Sequence, residues 1–215
     1  MKAGQVVGKI GQRSLDVGVV DQKVARSFIV PEHYKLEPWK LHTVDPFDYM
    51  AEPFRSELLK LNPRKATPLG GKIDFDVDGA LSGNWFLENT NGYSGAGDPR
   101  GYWMGHLAFV RHHIASEQIV ISIGDFGGQP KQFWVKGNSP DPTKVKEDSG
   151  IVAYELIWGS VGADGRRFEG LDTSAVQGVV LAQVLPARKI KVEIIPGHRG
   201  PPPAAFSDAA KIFER

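Results

Sequence analysis

Residues 72–86, KIDFDVDGALSGNWF, set the pattern for the whole chain. Ile73, Phe75 and Val77 alternate with Lys72, Asp74, Asp76 and Asp78. A period of two belongs to a strand with one buried and one wet face. Asp78-Gly79 interrupts the run, and Leu81, Gly83 and Trp85 resume it. A three-residue loop at 78–80 pairs Val77 with Leu81, Phe75 with Gly83 and Ile73 with Trp85. All the apolar side chains then share a face, whereas a two-residue loop would place Leu81 opposite Asp76.

The same reading along the chain predicts strands at 106–112, 119–123, 132–136, 151–158, 176–185 and 189–195, with shorter ones around 4–20. Residues 31–50 carry Pro31, Pro38 and Pro46 and read as an extended crossing segment. The best helix is 52–62, with Pro53 in its first turn and Pro63 beyond its end. A short C-terminal helix is expected from about Ser207, acting as N-cap, to Glu214. Short strands without long helices between them favour an antiparallel β-sandwich or open β-barrel. Residues 1–30 read as a partial β module or N-terminal strands, and 31–215 as a single β-rich domain.

Composition narrows the function classes. The 215 residues are enough for one substantial core. Lys plus Arg (26) nearly cancels Asp plus Glu (25), so no net basic charge favours nucleic acid or an anionic membrane. No stretch approaches the roughly 18 apolar residues of a membrane helix. With no cysteine, disulfides, thiolate metal sites and a cysteine nucleophile are excluded. MKAGQVVGKIGQ lacks the apolar core of a signal peptide, so an extracytoplasmic location would need one upstream.

Gly4-Gln5-Val6-Val7-Gly8 and Gly11, followed by Ser14-Leu15-Asp16-Val17-Gly18-Val19, resemble the closing strands of lysostaphin-type zinc peptidases and related barrel-sandwich modules. That resemblance implies a glycine-rich strand followed by a histidine-x-histidine strand. Ser14 and Asp16 stand where the histidines would be. The segments LHTVDPFDY, GKIDFDVDGALSGNWF and YWMGHLAFVRHHI are similar to β-rich domains of large uncharacterised bacterial proteins. The similarity implies a bacterial origin and no particular activity.

Candidate chemistry falls in three places. Asp74, Asp76 and Asp78 with Gly79 match the opening of a calcium loop, though Trp85 occupies the position where a bidentate glutamate belongs. The alternative is the solvated face of a strand. His106, His112 and His113 are the densest histidines. His106 and His112 share a strand face but lie roughly 20 Å apart, so zinc fits less well than calcium and would need His33, His42, His198 or a carboxylate.

The third place is the loop 89–105, long, glycine-rich and aromatic. Loops of this length inside a compact domain are often functional. Tyr93, Tyr102 and Trp103 offer flat faces, and Asn89, Asn91 and Arg100 offer polar groups to orient a ligand, with Trp85 and His106 beside them. The alternative is that these aromatics fold back into the core. No serine lies in a nucleophile elbow, and nothing in the spacing of Glu88, Asp98, Glu117 and Asp125 selects a catalytic pair. The expectation is a non-catalytic domain that binds a small molecule or glycan. The second reading is a hydrolase acting on cell-wall or polysaccharide material, and the third is a structural module whose sheet edge pairs with a partner.

Overall fold

The computed structural model describes residues 5, 6, 8, 9, 17–90, 92, 101–162, 165–167 and 172–215. Its centre is a closed antiparallel barrel of eight strands in the order β10-β3-β4-β5-β6-β7-β8-β9. The strands are β3 (Gly83–Leu87), β4 (His106–Arg111), β5 (Ile119–Phe126), β6 (Gln129–Val135), β7 (Val152–Ile157), β8 (Val176–Leu185), β9 (Lys189–Pro196) and β10 (Lys211–Glu214). Closure leaves the barrel itself no free edge.

Two further strands, β1 (Val19–Val20) and β2 (Thr43–Val44), pair with each other outside the barrel. The segment 31–50 is wound into three short 3-10 turns, Pro31–Tyr34, Pro38–His42 and Pro46–Tyr49, each opened by a proline. The helix α1 (Phe54–Leu61) lies within the range the sequence predicts. Among the described residues, no helix is long and apolar enough to cross a membrane.

Alternation determines what the barrel encloses. Trp85 pairs with Leu107, and Leu107 with Ile123. Phe109 pairs with Ile121, and Ile121 with Phe133. Tyr154 pairs with Val180, and Ala182 with Val192. All of these side chains belong to one buried cluster that fills the lumen. Burying a large apolar side chain contributes about 1.5–3 kcal/mol, so this lumen is the main source of stability. β8 is buried on both sides, with Val179 and Leu181 as inaccessible as Val180 and Ala182.

A smaller cluster holds the N-terminal segment to the outer surface. Phe28, Tyr34 and Leu41 pack around Phe86, which points out of β3. The Asp74 carboxylate accepts the Ser27 amide at 3.2 Å, and Asp76 accepts the Ile29 amide at 3.4 Å.

Two expectations are corrected. Residues 72–77 do not pair with β3 as a hairpin. β3 pairs instead with β4 and β10. The inside–outside assignment of the aspartate run also fails at Asp76, while Lys72 and Asp78 are exposed as expected. Ile73 and Val77 are exposed, while the Asp76 side chain is 3% accessible. Phe75 lies on the outer face with Asn84, Ala108 and Val110, whereas Trp85 is inside the barrel. The reason is a distant countercharge: Arg215 reaches Asp76 at 3.7 Å. Gly83, with φ of 123°, leaves room for that pair, since a side chain there would collide with Asp76 and Arg215.

The second correction concerns the C-terminus. The expected helix from Ser207 to Glu214 is a turn followed by β10, the strand that closes the barrel between β3 and β9. Ser207 does not cap a helix. Its amide and hydroxyl both donate to the buried Glu193 carboxylate, at 2.7 and 2.6 Å.

Candidate functional site

Antiparallel connectivity brings the C-terminal ends of β3, β5, β7 and β9 to one end of the barrel, together with the 127–128 turn and the 197–210 connection. A cavity of about 220 Å³ opens there. Its walls are Leu87 at the end of β3, Ile123 in β5, Val192 and Ile194 in β9, and Phe213 in β10, with Met104 beside them. These are inward positions of their strands, continuing the alternation of the core. The lumen is therefore not filled to its end, and the last inward side chains surround a hollow.

Polar groups enter this apolar hollow at a few points. Asp125 arrives from β5, whose register shifts between Ile123 and Phe126. Its Oδ1 accepts the Gly128 amide at 2.8 Å, which ties down the β5–β6 turn. Lys211 is the first residue of β10, shares the inward parity of Phe213 and is exposed at the rim. Ala209 and Pro196 complete the rim.

His106 borders the cavity, but it pairs with Phe86 and shares that residue's outward face. Its ring meets Phe86 edge-on, 5.3 Å between centroids. Burial lowers its pKa to about 4, with Lys40 adding to the effect and Glu37 opposing it. The imidazole is therefore neutral at physiological pH.

The turn Tyr102–Gly105 is seated by a close backbone approach. A methyl group at Gly124 would overlap the Trp103 carbonyl oxygen, so the β5 position beneath that turn tolerates only hydrogen. The Trp103 ring covers Gly101 and is 39% exposed.

The sequence-derived candidates separate into distinct places. His106 borders the cavity from the outer face beside Phe86, and Trp103 lies in the neighbouring turn. Trp85 is a core side chain, 1% exposed, with its indole N–H bonded to the Leu81 carbonyl. The Asn89 amide donates to Glu214, a backbone contact at a residue with φ of 64°. The backbone of Tyr102 belongs to the turn. Asn91, Tyr93 and Arg100 lie outside the described residues.

Asp74, Asp76 and Asp78 do not converge. Asp74 holds Ser27, Asp76 holds Ile29, Asn84 and Arg215, and Asp78 pairs with Arg188 at 3.3 Å. Among the described residues, no group of three histidine or acidic side chains is placed to hold a metal ion. His106 opens β4 and His112 follows its last residue. The His112 Nδ1 accepts the Ile114 and Ala115 amides, a local turn role.

Asp125, Lys211 and Met104 were not predicted as a group. Asp125 ends an otherwise apolar alternation, ISIGDF, and that break was the available signal. Lys211 carried none while its segment read as a helix.

Two other hollows are less suited to a ligand. One of about 350 Å³ lies at the opposite barrel end, where Asp78 and Arg188 pair with each other and Arg215 is already held by carbonyls. One of about 270 Å³ lies on the outer sheet face beside Phe75 and His112. The mouth cavity is smaller than either, but its walls are mainly apolar inward side chains of the strands. No family model, no curated protein and no solved structure matches this chain.

Proposed function

We propose that the barrel is a non-catalytic binding domain that takes a small, mainly apolar ligand into its loop-bearing mouth. The observation that carries this reading is the unfilled lumen beneath that mouth, walled by Leu87, Ile123, Val192, Ile194 and Phe213. Small-molecule sites combine an apolar lining with a few placed polar groups. Asp125 and Lys211 are those groups here. At about 220 Å³ the hollow is below the roughly 300–1,000 Å³ of sites for drug-sized ligands. The ligand is therefore small, or one end of a larger molecule. The aliphatic walls favour an apolar body over a polyhydroxylated sugar, which narrows the small-molecule or glycan expectation to its first half.

Methyl-resolved NMR during titration with small metabolites tests this. Shifts confined to the Leu87, Ile123, Val192 and Ile194 methyls are expected. They should vanish in Ala209→Trp, which places an indole over the rim from an exposed position. Shifts on the outer face around Val110 and Val120 instead would move the site elsewhere and overturn the reading.

A further inference from the structure

The outer hollow of about 270 Å³ suits an apolar body less well than the mouth does, but it has a chemistry of its own. Its floor is a cross-strand row on the outside of the barrel. Asn84 pairs with Ala108, Ala108 with Ser122, and Ser122 with Gln132. Val110, Val120 and Trp134 form the next row. Paired side chains start about 4.5–5.5 Å apart, and two such rows about 7 Å apart, so both reach one small molecule. The run 72–75 makes one wall, where the Asn84 side-chain amide donates to the Ile73 carbonyl at 3.1 Å. His112 and His113 make another, and the His112 ring meets Trp134 edge-on, 5.3 Å between centroids.

The polar groups of this hollow have few partners within the protein. Among the described residues, the Ser122 hydroxyl, the Gln132 amide and the His113 ring make no hydrogen bond. The Lys72 ammonium meets only the Phe75 ring, 4.9 Å from its centroid. Burial lowers the pKa of His112 and of His113, so both rings are neutral near pH 7. The His112 Nδ1 accepts the Ile114 and Ala115 amides, so the ring proton sits on Nε2, a donor left without an acceptor.

The charges are one-sided. Lys72 and Arg111 line the hollow and no acid does. Arg111 is paired with Asp141 at 2.9 Å. Arg64, 7% exposed, lies behind His113 and donates to the Pro68 and His113 carbonyls, both at 2.7 Å. It meets no carboxylate among the described residues.

We propose that this hollow is a second binding site, one for a small phosphate monoester. Ser122 and Gln132, fixed side by side by the ladder, donate to the phosphoryl oxygens together with the His112 Nε2–H. Lys72 reaches over on its long stem, and Arg64 adds positive potential from behind. A monoester carries a charge of about −1.5 to −2 and three acceptor oxygens, which answers these donors better than a carboxylate. Its carbon body lies on Val110 and Phe75. This site stands whether or not the mouth takes a ligand.

NMR of the two imidazoles and the valine methyls, with phenyl phosphate added to the intact protein, tests this. Shifts are expected at His112, His113, Val110 and Val120, and both imidazole pKa values should rise, since a nearby anion favours the imidazolium. Phenyl phosphate should bind about tenfold or more tighter than inorganic phosphate, benzoate or benzyl alcohol, the size of a lost contact or charge-assisted bond. Lys72→Met and Gln132→Leu should each weaken it by a similar factor. Both positions are exposed, and circular dichroism checks that the variants fold.

Benzoate binding as tightly as phenyl phosphate would overturn the phosphate assignment, and inorganic phosphate doing so would overturn the ester. Shifts at Leu87 and Ile194 in place of these would overturn the site and leave the mouth reading intact. Unchanged imidazole pKa values, or full affinity in both variants, would overturn the site as well.

Discussion

The Arg215 guanidinium sits over the Trp85 ring, 4.0 Å from its centroid. It donates to the Ser82, Val77 and Ala80 carbonyls at 2.7, 2.6 and 2.7 Å, and it faces Asp76 at 3.7 Å. One end of the lumen is thus closed by a cation bonded to backbone rather than by an apolar side chain. Burial is the largest influence on both partners, pushing the Asp76 pKa up and the Arg215 pKa down. Desolvation therefore outweighs their attraction, and each is tolerable only because the other is present.

Arg215→Met is accordingly expected to lose about 3–5 kcal/mol, the usual cost of stranding a buried charge. Adding Asp76→Asn should recover much of it. Urea unfolding of the single and double variants measures both. A single variant within about 1 kcal/mol of the parent, against that expectation, would show that the pair does not secure this end.

His106 makes stability depend on pH. Its folded pKa of about 4 lies below the ordinary value of 6.5, so the unfolded chain binds the extra proton more readily. Its contribution is intact above about pH 6.5 and is lost as pH falls toward about 4. A loss of about 2 kcal/mol by pH 5 follows from 1.36 kcal/mol per unit. Burial lowers the pKa values of His33, His112 and His113 as well, so they act in the same direction. Asp76, raised by burial, works against them, since its proton binds the folded form more tightly. Urea midpoints at several pH values should slope less in His106→Gln than in the parent, and equal slopes would remove His106 from the account.

Gly124→Ala should destabilise by about 1–3 kcal/mol, the range for forcing extra atoms into a packed site. The clash is with the Trp103 backbone and cannot be relieved by rotating a side chain. For a domain of this size each kcal/mol corresponds to roughly 2–4 °C in Tm. A Tm unchanged within a degree would mean that the 102–105 turn is free to lift.

Ser207→Ala removes the 2.6 Å bond to Glu193 and leaves the buried carboxylate with the Ser207 amide at 2.7 Å. The expected cost is about 1–3 kcal/mol. Faster hydrogen exchange should be concentrated at Ser207 and its neighbours, because this bond holds the connection that leads into Ala209 and Lys211. Uniform change across the barrel would contradict that local role.

The long strands were legible in the sequence. β8 occupies the predicted residues, and β9 starts at the predicted Lys189 and ends one residue later. The aspartate run was not, because its alternation is real but its facing depends on Arg215, 139 residues further along. Local pattern says which residues share a face and cannot say which face a remote cation will cover. β10 was hidden for a related reason. Lys211-Ile212-Phe213-Glu214 is too short to show a clear period, and only the gap between β3 and β9 makes it a strand. Losing β10 also lost Lys211, so part of the polar rim was out of view.

The barrel is completed by a four-residue strand that arrives after all the others. While the ribosome is still adding the residues before Lys211, the nascent sheet exposes two bare borders, β3 on one side and β9 on the other. Chains halted in that interval would present ready templates for pairing with one another. A chain lacking Lys211–Glu214 would keep both borders uncovered.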